Sequence, residues 1–217
     1  MPWLRLLSWI WPVRVERVAG RYGDLELAWE YGRLVVNTPN ANQSGGSLLR
    51  IWRYCLNEPE LKALRPRSVL MLGFGAGSAA RVLRRERKIE APITGVDGSP
   101  QMLELARRHF RVEQWAQPLE LVQADALAFL AACDRQYHLV LVDLFHDLDL
   151  APGVESPEFL SQLRRCTAPD GVLCFNTIDD TGLREERSER VHEGLRHLFG
   201  RVEERRYQGI NRVFIAR

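Results

Sequence analysis

The sequence lacks the cysteine and histidine patterns that mark disulfide frameworks and metal sites. Its four cysteines have no paired spacing: Cys55, Cys133, Cys166 and Cys174. Because three of them lie inside segments with apolar periodicity, we expect buried, reduced thiols and a cytoplasmic location. Among the five histidines, His192 and His197 are five residues apart, which is not the spacing that shares a helix face. We therefore expect no bound metal.

A concentrated positive charge is also missing. The formal net charge is +2, and arginine greatly outnumbers lysine. The densest basic segment, residues 81–88, includes Glu86 and follows helical spacing, which is typical of a solvated helix face. This distribution argues against a dedicated nucleic-acid-binding protein, because such proteins carry a concentrated basic excess. We expect no nucleic-acid partner.

A membrane-spanning segment is not expected either. The N-terminal segment, residues 1–11, is apolar but falls below the roughly 20 residues of a membrane-spanning helix, and it lacks a small-residue cleavage site. Contact with a membrane interface stays open. Packing against the domain or a second subunit explains the segment better, because clustered exposed tryptophans indicate a partner. We therefore predict a homodimer contact through four tryptophans: Trp3, Trp9, Trp11 and Trp29.

What the sequence does contain is the pattern of an α/β protein. Residues 13–37 carry three short β segments with a turn at Tyr31-Gly32, which predicts a small antiparallel appendage over residues 1–43. From residue 44 to 217, helical patterns alternate with five β segments, at 68–72, 92–97, 119–123, 138–143 and 171–176. This alternation predicts a mostly parallel, doubly wound sheet covered on both faces. A final hairpin that turns at Gln208-Gly209 is expected to add an antiparallel edge strand.

A glycine-rich turn after the first of these segments indicates a nucleotide site. The apolar run ends at Gly73, and Gly75 and Gly77 follow before a helical pattern begins. Glycines let a backbone approach a ligand, and the helix start offers free N–H groups. A plain strand-to-helix turn would look the same. The spacing lacks both the dinucleotide and the phosphate-loop registers, which favours a nucleoside without pyrophosphate.

Three aspartates follow the next β segments and converge, in such a sheet, with the glycine turn. Asp97 lies 20 residues after Gly77, where a carboxylate can accept hydrogen bonds from ribose hydroxyls. Asp125 begins a helix and would also be explained as an N-cap alone. Asp143 ends a wholly apolar strand, where a carboxylate needs either partners or a function.

These stretches resemble the class I S-adenosylmethionine-dependent fold and, within it, the spermidine synthase (polyamine aminopropyltransferase) family. The resemblance rests on Val69 to Ser78, Gly95 to Asp97, Gln123 to Ala126 and Tyr137 to Asp143, with further similarity at Tyr22 to Leu27, Gly32 to Val36, Gln43 and Glu158 to Leu160. It covers roughly residues 20–180 and implies a Rossmann-like class I methyltransferase fold.

The resemblance also implies a site for S-adenosylmethionine or its decarboxylated form. The implied cofactor-binding residues are Gln43, Gly73, Phe74, Gly75, Gly77, Asp97, Gly98, Asp125, Ala126 and Asp143. The implied substrate-binding residues are Tyr54, Phe145, His146 and Asp147, and the implied catalytic residues are Asp143 and His146. In this scheme Asp97 holds the ribose, Asp125 contacts the adenine, and Asp143 faces the sulfonium and a small acceptor, an amine such as a polyamine.

The chain departs from that family in its acceptor-side residues. Ala76 stands where the glycine loop of the family usually carries an acid, and His146 stands where a second aspartate is found. His146 could act as a base near neutral pH or be a plain loop residue, and Phe145 could wall the acceptor pocket or anchor the loop. Three hypotheses therefore remain: aminopropyl transfer, methyl transfer to another small molecule, and a non-catalytic nucleoside-binding relative.

Overall fold

The computed structural model describes residues 2–217 and contains a small N-terminal sheet followed by a large central one. Met1, the first residue of the predicted appendage, lies outside the described residues. The N-terminal elements are α1 (Pro2–Leu7), β1 (Val13–Gly20), β2 (Gly23–Glu30), β3 (Arg33–Asn37) and β4 (Asn42–Ser44). The four strands pair in chain order as one antiparallel sheet. The predicted domain boundary at residues 43 and 44 falls inside β4.

The remaining elements alternate as the sequence predicts. The helices are α2 (Gly46–Leu56), α3 (Pro59–Ala63), α4 (Ser78–Arg81), α5 (Pro100–Arg108), α6 (Val112–Trp115), α7 (Ala126–Ala132), α8 (Pro157–Cys166) and α9 (Gly182–Leu198). The strands are β5 (Val69–Leu72), β6 (Ile93–Asp97), β7 (Leu119–Gln123), β8 (Tyr137–Val142), β9 (Phe145–His146), β10 (Asp149–Leu150), β11 (Thr167–Ile178), β12 (Val202–Tyr207) and β13 (Asn211–Ala216).

The central sheet has seven strands in the order β12-β13-β11-β8-β5-β6-β7. The five strands from β11 to β7 are parallel, and β13 pairs antiparallel with β11 on one side and β12 on the other. The predicted mostly parallel α/β fold with an antiparallel C-terminal addition is thus confirmed. The last strand, β13, lies second from the edge, and β12 takes the edge position.

Helices cover both faces of the central sheet because successive strand residues point to opposite sides. In β5, Val69 and Met71 face the core that contains Trp52 of α2, whereas Leu70 and Leu72 face the core under α7 to α9. All four of these strand residues are buried. Burial of each such aliphatic side chain contributes about 1.5–3 kcal/mol, so these two cores hold the strand ends, and the site built on them, in place.

The first helix after the glycine turn differs from the prediction. The sequence has helical spacing from the glycine turn to residue 88, but α4 passes into a π-helical turn at Val82–Glu86. There the N–H of Arg87 donates to Val82 and that of Ile89 to Leu83, which widens the last turn. The guanidinium of Arg84 donates to the carbonyls of Ile89 and Ala91, which follow this turn, and to that of Ala116 beyond α6.

The apolar N-terminal segment leaves much of its surface uncovered. The exposed apolar residues here are Trp3, Leu6, Leu7, Trp9, Ile10, Trp11, Val15 and Tyr31, with Ile10 87% and Trp11 77% exposed. Trp29 is half-buried. Within residues 2–217, every helix is too short or too polar to traverse a bilayer. The four cysteines are free and buried, as expected.

Candidate functional site

A cavity of about 430 Å³ lies at the carboxyl ends of β5, β6 and β8. We call it the main cavity. The loop between β3 and β4 lines one part of it, and the short β9–β10 hairpin with the residues that follow lines another. This is the edge of a doubly wound sheet at which ligands bind. A second cavity, described below, lies around the other end of the glycine turn.

The glycine turn contributes its first half to the main cavity. Gly73 has φ +81°, and a side chain there would overlap the backbone carbonyl of Asp143. Glycine is required at this position because the ends of β5 and β8 approach so closely. Gly75 also lines the main cavity, and its N–H donates to Oδ2 of Asp97 at 2.9 Å.

Two predicted members of the turn do not line the main cavity. Phe74 is 4% exposed and packs against Gly95, where a side chain would overlap the Phe74 ring. Gly77 begins α4 and borders the second cavity instead. Both residues position the turn, so a direct cofactor contact by either is not supported by where they lie.

Asp97 is anchored by backbone groups from both of its flanks. Its Oδ2 accepts the N–H of Gly75, and its Oδ1 accepts the N–H of Ser99 at 2.9 Å. Burial raises the pKa of Asp97, and these two hydrogen bonds oppose the rise. Gly98 lines the cavity beside it, under the ring of Tyr22. The carboxylate keeps further lone pairs for a ligand hydroxyl.

Asp125 serves as a helix cap and also lines the main cavity. Its Oδ1 accepts the N–H groups of Leu127 and Ala128 at 3.0 and 3.1 Å. One carboxylate oxygen therefore satisfies the first turn of α7. Asp125 and the neighbouring Ala126 line the cavity together, so the cap and a contact with a ligand are compatible.

Asp143 is held by two neutral donors that the sequence pattern did not identify. The indole Nε1 of Trp52 donates to Oδ2 at 2.9 Å, and Nδ2 of Asn176 donates to Oδ1 at 2.9 Å. Asn211 in turn donates to Oδ1 of Asn176 at 3.2 Å. Burial raises the pKa of Asp143, the two donors oppose that rise, and the charge of Asp97 adds to it.

The β9–β10 hairpin presents Phe145 and His146 to the main cavity. The His146 ring stacks on Tyr22, with ring centroids 4.3 Å apart and planes at 19°. Burial lowers the pKa of His146, the charge of Asp125 opposes this, and the charge of Arg187 adds to it, so the pKa lies below its ordinary value and the neutral ring is favoured at pH 7. Phe145 lines the cavity and also packs on the core. It can therefore wall the pocket and anchor the loop at the same time.

Asp147 forms a clasp between two loops. Its carboxylate accepts hydrogen bonds from the Thr38 hydroxyl at 2.5 Å and from Asn40 Nδ2 at 2.6 Å, and its backbone carbonyl accepts Nε2 of Gln43 at 3.1 Å. Burial by itself raises the pKa of Asp147, but these donors outweigh it and the pKa lies below the usual value. Asp147 and Gln43 line the cavity and also close its rim.

Tyr54 is not brought to the main cavity. It is 53% exposed and stacks on Tyr207, with centroids 6.2 Å apart. Two residues along a helix rotate by about 200°, so α2 turns Trp52 toward Asp143 and Tyr54 away from it. The predicted acceptor contact at Tyr54 is therefore corrected to a surface position. Ala76 is 3% exposed and lines the second cavity, so an acid missing there says little about the main one.

The main cavity is lined by negatively charged side chains. Its acidic lining residues are Asp97, Asp125, Asp143 and Asp147, His146 and Tyr22 are its other ionisable residues, and no lysine or arginine is among the described residues that line it. Within residues 2–217 there is also no cluster of three His, Cys, Asp or Glu side chains that could hold a metal ion. Low-dielectric walls focus such a negative field, which attracts cations and repels phosphates.

Some residues of the site escape sequence reasoning. Asn176 ends the apolar stretch of β11 beside the end of β8, so the strand-end rule applied to Asp143 would have found it as well. Trp52 gives no such signal, because a tryptophan on an amphipathic helix is indistinguishable from any other core residue.

Comparisons with known proteins agree with this architecture. Residues 69–171 match the family described as methyltransferase domain. Polyamine aminopropyltransferase 2 of Hyperthermus butylicus is 28% identical over 145 residues, which cover 63% of this chain and 45% of that protein. The malonyl-acyl-carrier-protein O-methyltransferase of Halorhodospira halophila is 38% identical over 125 residues, which cover 57% of this chain and 39% of that protein.

A solved structure shows the fold over nearly the whole chain. A spermidine synthase in complex with the transition-state analogue AdoDATO aligns with a TM-score of 0.74 at 16% identity, covering 94% of this chain and 73% of that one. The chain thus has the class I methyltransferase fold. It spans under half the length of both curated relatives named above.

Proposed function

We propose that this chain, built on the class I methyltransferase fold, is a transferase that binds an S-adenosyl sulfonium compound in the main cavity. The transferred group is aminopropyl, from decarboxylated S-adenosylmethionine, and the acceptor is a small amine of the polyamine class. One observation carries the proposal: four aspartates and no lysine or arginine line the cavity within the described residues. Both the sulfonium and a protonated amine are cations, and the decarboxylated compound has no carboxylate for such a cavity to repel.

The residues present fit a nucleoside of this kind. Asp97, fixed by two backbone N–H groups, would accept hydrogen bonds from the ribose hydroxyls. Asp125 and Ala126 would border the adenine, and the backbone at Gly73 and Gly75 would approach the ligand closely. The glycine turn offers no phosphate-binding register. These roles are the ones that the resemblance to the spermidine synthase family implies.

When bound, the sulfonium supplies a carbon whose bond to sulfur breaks with the electron pair left on a neutral thioether. The acceptor nitrogen must lose a proton before its lone pair forms the new C–N bond. Asp143 is suited to receive that proton, because burial raises its pKa and so makes it a better base than an exposed carboxylate. His146, neutral at pH 7, is the second proton acceptor on the rim.

Methyl transfer is the second candidate function. The methyltransferase-domain match and the 38% identity to an O-methyltransferase favour it. It would require intact S-adenosylmethionine, whose carboxylate would enter a cavity that already holds four aspartates. The backbone N–H groups of the glycine turn, residues 73–77, already donate to acceptors within the protein, so the turn offers no free donor for that carboxylate.

Calorimetry with the two sulfonium compounds tests the proposal. We expect decarboxylated S-adenosylmethionine to bind more tightly than the intact form, and Asp97→Asn to weaken both at least tenfold. Asp134→Asn removes the same charge from an exposed position outside the main cavity and should leave binding unchanged. Tighter binding of the intact compound would replace aminopropyl with methyl transfer, and binding of neither would leave a non-catalytic protein.

The assembly and location follow from other observations. The exposed apolar surface of the N-terminal segment, from Trp3 to Trp11, supports a homodimer contact. Free, buried cysteines are consistent with a reducing compartment such as the cytoplasm. Trp29, half-buried, is no longer part of the proposed contact.

A further inference from the structure

The second cavity has the opposite charge to the main one. It has a volume of about 450 Å³ and lies beside the second half of the glycine turn. Arg81, Arg85 and Arg111 line it, and no aspartate or glutamate does. Apolar and aromatic side chains complete the walls: Leu34, Leu49, Phe110 and Trp115.

These three arginines lack the partners that most arginines of this protein have. Within residues 2–217, no hydrogen bond or ion pair engages the guanidinium of Arg81, Arg85 or Arg111. The neighbouring acids are already taken, because Glu86 forms two 2.8 Å hydrogen bonds with Arg53 and Glu113 pairs with Arg107 at 3.0 Å. Positive charge is therefore gathered around a concave surface with no directly paired acid in the described part of the chain.

The aromatic wall is fixed in a position that suits a ligand. Nε1 of Trp115 donates to the carbonyl of Phe110 at 2.8 Å, so the polar edge of the indole is satisfied. Arg85 lies over the Trp115 ring, 5.3 Å from its centroid. A cation–π contact of this kind leaves the N–H groups of the guanidinium available to an anion.

The electrostatic environment of Arg81 favours an anion. Burial lowers the pKa of Arg81, and the charges of Arg85 and Arg33 lower it further, with only partial relief from Glu86. Like charges held together in this way are relieved when an anion enters. Planar guanidinium groups match phosphate oxygens in pairs, which makes arginine the preferred residue for such recognition.

We propose that the second cavity is a binding site for a multiply charged phosphorylated small molecule with a planar or apolar body. Arg81, Arg85 and Arg111 hold the phosphates, and Trp115 and Phe110 contact the body. The cavity is concave and has the volume of small-molecule sites, which favours a small ligand over a flat macromolecular surface. This site is separate from the proposed transferase function.

Calorimetry on the full chain at fixed ionic strength tests the site. The probes are inorganic pyrophosphate and uridine triphosphate, which avoids the adenine that the main cavity is proposed to bind. Both are expected to bind, and the nucleotide more tightly. The double variant Arg85→Gln/Arg111→Gln changes two exposed side chains and should weaken both probes at least tenfold. Trp115→Leu should weaken the nucleotide more than pyrophosphate, because it removes the contact with the body of the ligand as well as the ring beneath Arg85.

The matched control is Arg196→Gln. Arg196 is exposed on α9, outside the second cavity. Its substitution removes one positive charge, as does each substitution of the double variant. It should leave the affinity for both probes unchanged. Absence of binding at millimolar probe concentrations would overturn the proposal. Equal weakening by Arg196→Gln and the cavity variants would overturn it as well, because it would show general charge attraction rather than a site.

Discussion

Two aspartates a few residues apart have their pKa values moved in opposite directions. Asp143 is buried against neutral donors and its pKa is raised, whereas Asp147 accepts several hydrogen bonds and its pKa is lowered. An acid whose folded pKa lies above its unfolded value binds protons more tightly in the folded state. The contribution of Asp143 to stability therefore falls as pH rises from its unfolded pKa to its folded pKa. The contribution of Asp147, whose folded pKa is the lower one, falls as pH falls through the same kind of interval.

Paired variants should show these opposite slopes. Relative to the wild type, Asp143→Asn should gain stability as pH rises above about 4, the pKa of an unfolded aspartate. Asp147→Asn should instead gain relative stability as pH falls below about 4, because the wild type loses the Asp147 contribution there. Urea unfolding at several pH values measures both differences. Slopes of the same sign in the two variants would contradict the assigned environments.

The sequence predicts the Asp143 site only in part. A carboxylate at the end of an apolar strand is recognisably in need of partners, and the structure provides Trp52 and Asn176. The strand-end rule could have identified Asn176, but the contact of Trp52 depends on how α2 packs against β8, which no local sequence pattern records. The same packing turns Tyr54 outward.

At the scale of elements, the main cavity depends on two loops that join across its rim. Residues 38–41 of the β3–β4 loop and the β9–β10 hairpin are linked through Thr38, Asn40 and Asp147. Asp147 has φ +59°, a conformation that costs a non-glycine residue about 1 kcal/mol or more. The clasp offsets that cost, so its loss should release the hairpin.

Asn40→Ala should therefore affect ligand binding more than stability. We expect a several-fold rise in KM for the acceptor, a loss of about 1 kcal/mol in stability from one hydrogen bond to a charged group, and faster amide exchange over residues 145–150. Asn57→Ala is the matched control, because Asn57 also donates one 2.8 Å hydrogen bond from an exposed amide but lies outside the main cavity. An Asn40→Ala variant with unchanged exchange in the hairpin would show that the clasp does not hold it.

The regular strands and helices were easier to predict from the sequence than the irregular turns and cavities between them. The parallel core strands and the helix that starts at Ser99 follow from apolar runs and from a serine followed by proline, and the Ser99 hydroxyl does accept the N–H of Met102 at 3.2 Å. The π-helical turn at Val82–Glu86 has no signature in the periodicity, because it changes hydrogen bonding rather than the order of apolar residues. The second cavity lies beside this turn, in a segment whose charge pattern by itself indicates only a solvated face.

At the scale of the whole molecule, six of the large apolar residues that are exposed within residues 2–217 lie on the N-terminal segment, from Trp3 to Trp11. Its most exposed members are Ile10 and Trp11. A monomer that exposed this surface to water would be prone to association. We expect sedimentation velocity at micromolar concentration to give a dimer for the wild type and a monomer for Ile10→Glu/Trp11→Glu.

The control for that experiment is Leu183→Glu, which places the same charge at an apolar residue 65% exposed at the start of α9. It should leave the dimer intact. A monomeric wild type, or dissociation by Leu183→Glu as well, would exclude the N-terminal segment as the contact.

The glycine turn separates the two cavities. Gly73 and Gly75 border the acidic one, while Ala76 and Gly77 border the arginine-lined one. A single short segment of backbone is thus a wall common to both. Any ligand on one side that stiffens or shifts this wall changes affinity on the other side, and thermodynamic linkage requires the effect to be equal in both directions. Binding of a phosphorylated compound in the arginine-lined cavity would then change the affinity of the acidic cavity for a cationic nucleoside, and the reverse.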